Sequence, residues 1–283
     1  MKEQEGFYTE EEIKTRQSIS TLMFLKYRPI GEQTLGELAQ NGITQIELIE
    51  SRDQFDMTDA RSMRYIADIC KSLGIQIVAY HAHTTMLATP ETEDQRKEEV
   101  DLCKRQIDTM IELGGEVWGS HARKMDKNLR KSYEELACHV EGTDVAVAIE
   151  NFTHEEYWVE NRVAFLDEID HPQVGMILDI GHVRNPEGIN PMTIPGGPTR
   201  VLEMCKNRLC WVHLHGFKDD EDHFPPFADG ETIQWVEIFR MLRKIGYSRS
   251  FNFEPKGEPR HINTLEETAK APGRIVELEA KTP

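Results

Sequence analysis

Eight times along this chain a short apolar run gives way to a longer amphipathic stretch, and few folds accommodate that alternation. The runs are SISTLMFL (18–25), ITQIELI (43–49), IQIVAYHAH (75–83), EVWGSHA (116–122), VAVAIEN (145–151), VGMILDIGH (174–182), LCWVHLHG (209–216) and SFNFEP (250–255). Several are apolar at consecutive positions, so both faces of the strand must be covered. Helical patterns lie between them. The stretch 30–42 stops at Asn-Gly, 60–74 at Gly and 91–114 at Gly-Gly, with similar patterns at 127–141, 159–170, 197–208 and 233–246,. The alternation predicts an α/β fold, a (β/α)8 TIM barrel. An open doubly wound sheet is the competing arrangement. No GxGxxG turn follows an early strand, which weighs against it.

At 283 residues, a barrel of this kind is a single domain. The reading is therefore one domain over 1–283, with peripheral segments at 1–16 and about 256–283. The Pro- and Gly-rich stretch 184–199 follows the sixth strand and reads as a long loop on the functional face. The formal net charge is −17. That disfavours a nucleic-acid partner, whose phosphates need a basic surface. No apolar run reaches membrane-spanning length, and the N-terminus lacks a secretory h-region. The five cysteines form no CxxC pair, so free thiols and a cytoplasmic location are expected.

Polar residues close the strands in a regular way. Glu47, His81, His121, Glu150, Asp179, His213 and Glu254 are separated by 34, 40, 29, 29, 34 and 41 residues. Each gap matches one strand–helix unit, so seven strands deliver an acid or an imidazole to the same end of the barrel, where strand ends converge. Such residues gathered in one mouth are a ligand set for a divalent cation. Glu150 and Asp179 each end a wholly apolar run, and an unpaired carboxylate there would be costly to bury. His81 and His83 share a strand face, as do His213 and His215. His182 stands at the start of a loop. The acidic run 219–222 reads as a solvated loop, with His223 beside it a candidate extra ligand. His139, His154, His171 and His261 are read as structural. Leu22, Phe24, Tyr80, Trp118 and Phe152 can form an apolar wall, and packing accounts for them equally well.

The segments AIEN, LDIGH, VHLHG, GETIQWVEIFRMLRKIGY and NFEP, in that order, resemble the xylose-isomerase-like TIM barrels. That superfamily includes sugar epimerases and isomerases, inosose dehydratases and endonuclease IV. The resemblance runs from about residue 30 to 255. It implies one divalent metal ion held by Glu150, Asp179, His213 and Glu254, with the glutamates also moving protons. Mixed oxygen and nitrogen donors lean towards Mn²⁺, with Mg²⁺, Co²⁺ and Zn²⁺ compatible. It also implies a substrate contact from His182, while His81, His121, His215 and Glu47 are candidate substrate contacts from their place at the strand ends, and His83 and His223 candidate extra metal or substrate contacts. A homo-oligomer is an expectation of the resemblance.

The chemistry so implied is a sugar isomerase or epimerase acting on a keto-sugar or related polyol through an enediolate. One of Glu150 and Glu254 removes a proton and the other returns it. Loss of a β-substituent after the same first step would make it a lyase or dehydratase acting on a keto-sugar or ketoglycoside. A barrel that binds sugar without turnover is a further alternative. An endonuclease IV-like abasic-site phosphodiesterase fits less well. That enzyme has Asp-x-His after its seventh strand, where this chain has Glu221-Asp222-His223. Its ligand histidine is followed by Asn-Asp, where this chain has His215-Gly216.

Overall fold

The computed structural model describes residues 6–25, 27–50, 55–83, 87, 90–122, 125–155, 158–257 and 263–282. Ten strands occur in chain order among them. They are β1 Gln17–Ser20, β2 Gln45–Ile49, β3 Gln76–His81, β4 Val117–Ser120, β5 Ala146–Glu150, β6 Val174–Asp179, β7 Leu209–Leu214, β8 Gly216–Lys218, β9 Glu221–Phe224 and β10 Phe251–Phe253. Eight of these close a parallel barrel in the order β1-β10-β7-β6-β5-β4-β3-β2, while β8 and β9 form a separate antiparallel hairpin. The fold is the expected TIM barrel, and it is a single domain.

The helices follow from local signals. They are α1 Glu10–Thr15, α2 Glu32–Gln40, α3 Ala60–Leu73, α4 Glu93–Leu113, α5 Lys127–Val140, α6 Val159–Ile169, α7 Gly197–Cys205, α8 Trp235–Lys244, α9 Thr264–Ala269 and α10 Ala271–Lys281. The Asp59 side chain accepts from the N–H groups of Arg61 and Ser62 to start α3, and a Thr92–Gln95 capping box starts α4,. Gly74 and Gly114 end α3 and α4 in the left-handed conformation that favours glycine,. None of the described helices is long and apolar enough to cross a membrane.

Two layers of core result. Helix residues such as Ile66, Ile107, Leu136 and Phe239 pack on the outward side chains of the strands. Inside the barrel, Ala79, Val117, Ala148, Ile177 and Trp211 form a second apolar cluster. Strand side chains alternate between faces. The inward residues two places further on are therefore His81, Gly119, Glu150, Asp179 and His213. The fold thus sets a polar layer directly on an apolar plug.

Candidate metal centre

Glu150, Asp179, His213 and Glu254 lie together at the C-terminal mouth, all buried, each with one donor atom within 4.8 Å of the others'. His213 Nδ1 is their common neighbour. It lies 3.2 Å from Glu150 Oε1, 3.0 Å from Glu254 Oε2 and 3.8 Å from Asp179 Oδ2. Asn151 fixes the registration of β5 against β6. Its Nδ2 donates to Asp179 O at 3.0 Å and its Oδ1 accepts from Asp179 N at 2.9 Å. Asp179 Oδ1 also accepts from the N–H groups of Gly181 and His182. Gly181 is required here, because a Cβ on it would overlap the His215 ring and come within 3.1 Å of Asp222 Cβ.

Two further groups of ligand-type residues flank this quartet. On one side, Glu150 Oε2 lies 2.8 Å from His81 Nε2 and 3.0 Å from His121 Nε2. His81 Nδ1 sits 3.0 Å from Ala82 O and Nε2 donates to Glu150 Oε2, so both ring nitrogens face acceptors, and burial is outweighed by Glu150, which raises the His81 pKa,. On the other side, Asp179, His182 and His223 form a second buried cluster. His182 Nδ1 lies 3.4 Å from Glu150 Oε1 and 3.7 Å from Asp179 Oδ2, and its Nε2 lies 3.3 Å from Asp222 Oδ2. His223 Nδ1 donates to Glu254 O at 2.8 Å, and His223 adopts a positive φ of 58°. Phe152 places its ring edge-on to both His121 and His182.

The remaining expected contacts take other places. His215 is fully buried, and both of its nitrogens are engaged. Nε2 is 3.0 Å from Asp179 Oδ1, and Nδ1 accepts from the His223 N–H at 2.9 Å. No nitrogen is left for a substrate hydroxyl. His83 lies beyond β3, half-buried, with its N–H on Glu50 Oε2. Glu47 is buried beneath His213 rather than in the mouth, because β2 continues two residues past it. His139 pairs with Asp108 on the surface, and His261 lies outside the described residues.

Electrostatically, the cluster is built to hold positive charge. Burial would push His213 down, but Glu254, Glu47 and Glu150 overcome it and raise its pKa well above the ordinary value,. Likewise, burial is outweighed at His182 by Asp179, Asp222 and Glu150, which raise it. Glu150 is held well below the usual carboxylate range, since His121 and His213 outweigh its burial. Glu254 is raised, chiefly by burial, with Glu47 and Glu150 adding to it. His182 Nδ1 is buried and has no hydrogen-bond partner among the described residues, although carboxylate oxygens lie close by. Carboxylates around imidazoles, with an unpaired nitrogen aimed among them, fit a divalent cation.

Three participants escape a reading of strand ends. Asp222, within the acidic run, is half-buried against His182 and is bridged by Lys256 at 3.2 Å. Arg162 of α6 is fully buried. Its Nε donates to Glu150 O at 2.9 Å, and its Nη2 donates to His121 O and Ala122 O at 2.8 and 2.9 Å. Its signal in the sequence is an arginine on the buried stripe Val159, Arg162, Phe165, Leu166. Asn252 of β10 supports Glu47 from within the barrel.

A closed parallel barrel with acids and imidazoles converging on its C-terminal mouth defines a (β/α)8 barrel with a candidate metal site. The family model described as xylose isomerase-like TIM barrel matches residues 35–275, and the chain belongs to that family. No curated protein matches the chain. Solved structures of the same fold include D-psicose 3-epimerase from Clostridium cellulolyticum H10 with D-tagatose, at 16% identity, 94% of this chain, 98% of that chain and a TM-score of 0.70. A 3-keto-D-glucoside 4-epimerase from E. coli matches at 14% identity over 90% of this chain and 97% of its own, with a TM-score of 0.70. A xylose isomerase-like TIM barrel protein from Mycobacterium smegmatis in complex with magnesium matches at 15% identity, over 97% and 99%, with a TM-score of 0.70. At these identities the likeness establishes the fold.

Proposed function

We propose that this protein is a divalent-metal-dependent sugar isomerase or epimerase acting on a keto-sugar or related polyol. The observation that carries the reading is the quartet Glu150, Asp179, His213 and Glu254, gathered around one point in the mouth. Family membership and the sugar epimerases among the structures of like fold support it. When bound, the cation would polarise a carbonyl and offset the charge that develops as the adjacent C–H is deprotonated. Glu150 and Glu254 approach from different strands, β5 and the end of β10. One takes the proton and the other returns it. His182, paired with Asp222, would steady a substrate oxygen, and Phe152 would give the mouth an apolar edge. If a β-substituent leaves instead of the proton returning, the same residues serve a lyase.

A second reading is favoured by one specific observation. His81 and His121 flank the far oxygen of Glu150, and His182, Asp222 and His223 gather beyond Asp179. Those groups offer ligands for more than one cation, which suits phosphoester hydrolysis across a multinuclear centre.

Metal content separates the two. The purified protein is compared with Glu150→Gln and His213→Ala, each after incubation with Mn²⁺, Mg²⁺, Co²⁺ or Zn²⁺. The isomerase reading expects about one ion per chain, lost in both variants. It also expects solvent deuterium to enter one of a panel of ketoses and ketoglycosides. Close to three zinc ions with cleavage of a phosphodiester would move the second reading to the front. No ion under any condition would defeat both.

A further inference from the structure

Glu47 enters the barrel interior in register with Ala79, two residues short of the end of β2. Its side chain is 1% exposed, and its oxygens are engaged by groups within the barrel. Oε2 accepts from Asn252 Nδ2 at 2.8 Å, and Ser18 Oγ holds Asn252 Oδ1 at 2.8 Å. Oε1 accepts from Trp211 Nε1 at 3.0 Å and lies 3.2 Å from His213 Nε2. Trp211 and His213 are two apart on β7 and share its inward face,. One carboxylate oxygen therefore receives both the indole N–H and the imidazole above it. A carboxylate this deep is costly unless hydrogen-bonded, and these donors satisfy it.

The consequence reaches the mouth. His213 directs Nε2 at Glu47 and turns Nδ1 towards Glu150, Asp179 and Glu254, where a bound cation would take the place of the Nδ1 proton. We propose that Glu47 is a positioning residue that fixes the tautomer and orientation of His213, so that Nδ1 is the ligand atom of the centre. This rests on the metal-centre reading above and gives Glu47 a role beneath the centre in place of substrate contact. A carboxylate behind a ligand imidazole also raises its basicity, and removing such a partner typically weakens metal affinity about 10- to 100-fold.

The test is metal affinity in Glu47→Gln, measured by titrating Mn²⁺ into the demetallated full-length protein. A fall of about 10-fold or more is expected, with the folded signature in circular dichroism retained. KM for an active substrate at saturating metal should stay near the wild-type value. Unchanged affinity with a raised KM would return Glu47 to substrate binding. Unchanged affinity with only a lowered Tm would make it purely structural. Either result overturns the proposal. If Glu47→Gln does not fold, the wild type loaded with diamagnetic Zn²⁺ decides. ¹⁵N-resolved imidazole spectra should show the His213 proton on Nε2, and a proton on Nδ1 overturns the proposal. Should the wild type bind no metal at all, the metal-centre reading fails first, so the two failures are distinguishable.

Discussion

Arg162 shows how one buried side chain holds several others in place. Its guanidinium fork spans the carbonyls of Glu150, His121 and Ala122, so the ends of β4 and β5 are tied to α6 and to each other. A planar five-donor fork suits this, and an ammonium cannot reach all three carbonyls at once. Arg162→Met would leave those carbonyls buried without their donors, at about 1–3 kcal/mol for each unsatisfied group. Partial relaxation brings the expected total to about 3 kcal/mol. Arg162→Lys should fall between. Urea denaturation checks this, and a midpoint for Arg162→Met equal to the wild type would refute it. Much at this scale was open to reading from the sequence, because Glu150, Asp179 and His213 end apolar runs and recur at strand–helix intervals. Ring-nitrogen roles were not, since they depend on partners contributed by distant strands. Glu47 and Glu150 each follow an isoleucine on a strand, and the two residues that β2 adds after Glu47 place it one layer lower.

Among elements, the strands and helices were legible because eight units repeat the same signal, and chance lapses in one unit do not obscure the others. The β8–β9 hairpin was not. GFKDDEDHF is short and polar, and it pairs only through a turn in which Asp219 and Asp220 hold positive φ. Its inner side is secured by the His223 contacts to His215 and Glu254. The acidic run is therefore divided, with the turn aspartates outward and Asp222 turned in towards His182. The α4–α5 pair offers a pH test. Glu93, at the start of α4, is bound by Arg96 at 2.9 Å and by Lys131 of α5, while fully buried Arg96 also reaches Glu135. Arg96 and Lys131 lower the Glu93 pKa from 4.5 to about 2. A depressed carboxylate contributes stability above its unfolded pKa and loses it as pH falls through the folded value. The Tm gap between wild type and Glu93→Gln should thus be present at pH 6 and narrow from about pH 4.5 downwards. Solvent screening keeps the gap small. A gap constant from pH 6 to pH 3 would show that the effect is not one of charge.

At the scale of the whole molecule, the centre exists only when the barrel is closed. Its candidate ligands come from β5, β6, β7 and the end of β10, and β10 meets β1 to complete the ring. An unfolded chain has no such site, so a cation bound there would be linked to global folding. The linkage is reinforced by charge. Four carboxylates, Glu47, Glu150, Asp179 and Glu254, are buried near one another and balanced within the barrel mainly by imidazoles. A cation at about 100 times its Kd should add about 2.7 kcal/mol of stability, or a rise in Tm of about 4–5 °C for a domain of this size. Thermal unfolding of chelator-treated protein, with and without Mn²⁺ at matched ionic strength, measures it. The surface is itself strongly acidic, with a formal net charge of −17, so any divalent ion will also relieve some general repulsion. Glu150→Gln separates the contributions, because it removes one net charge out of many but cuts the centre at its shared ligand. The expected outcome is a large Mn²⁺-dependent rise in the wild type and a small residual one in the variant. Equal rises in both would place the stabilising ion on the surface and detach the buried cluster from metal binding.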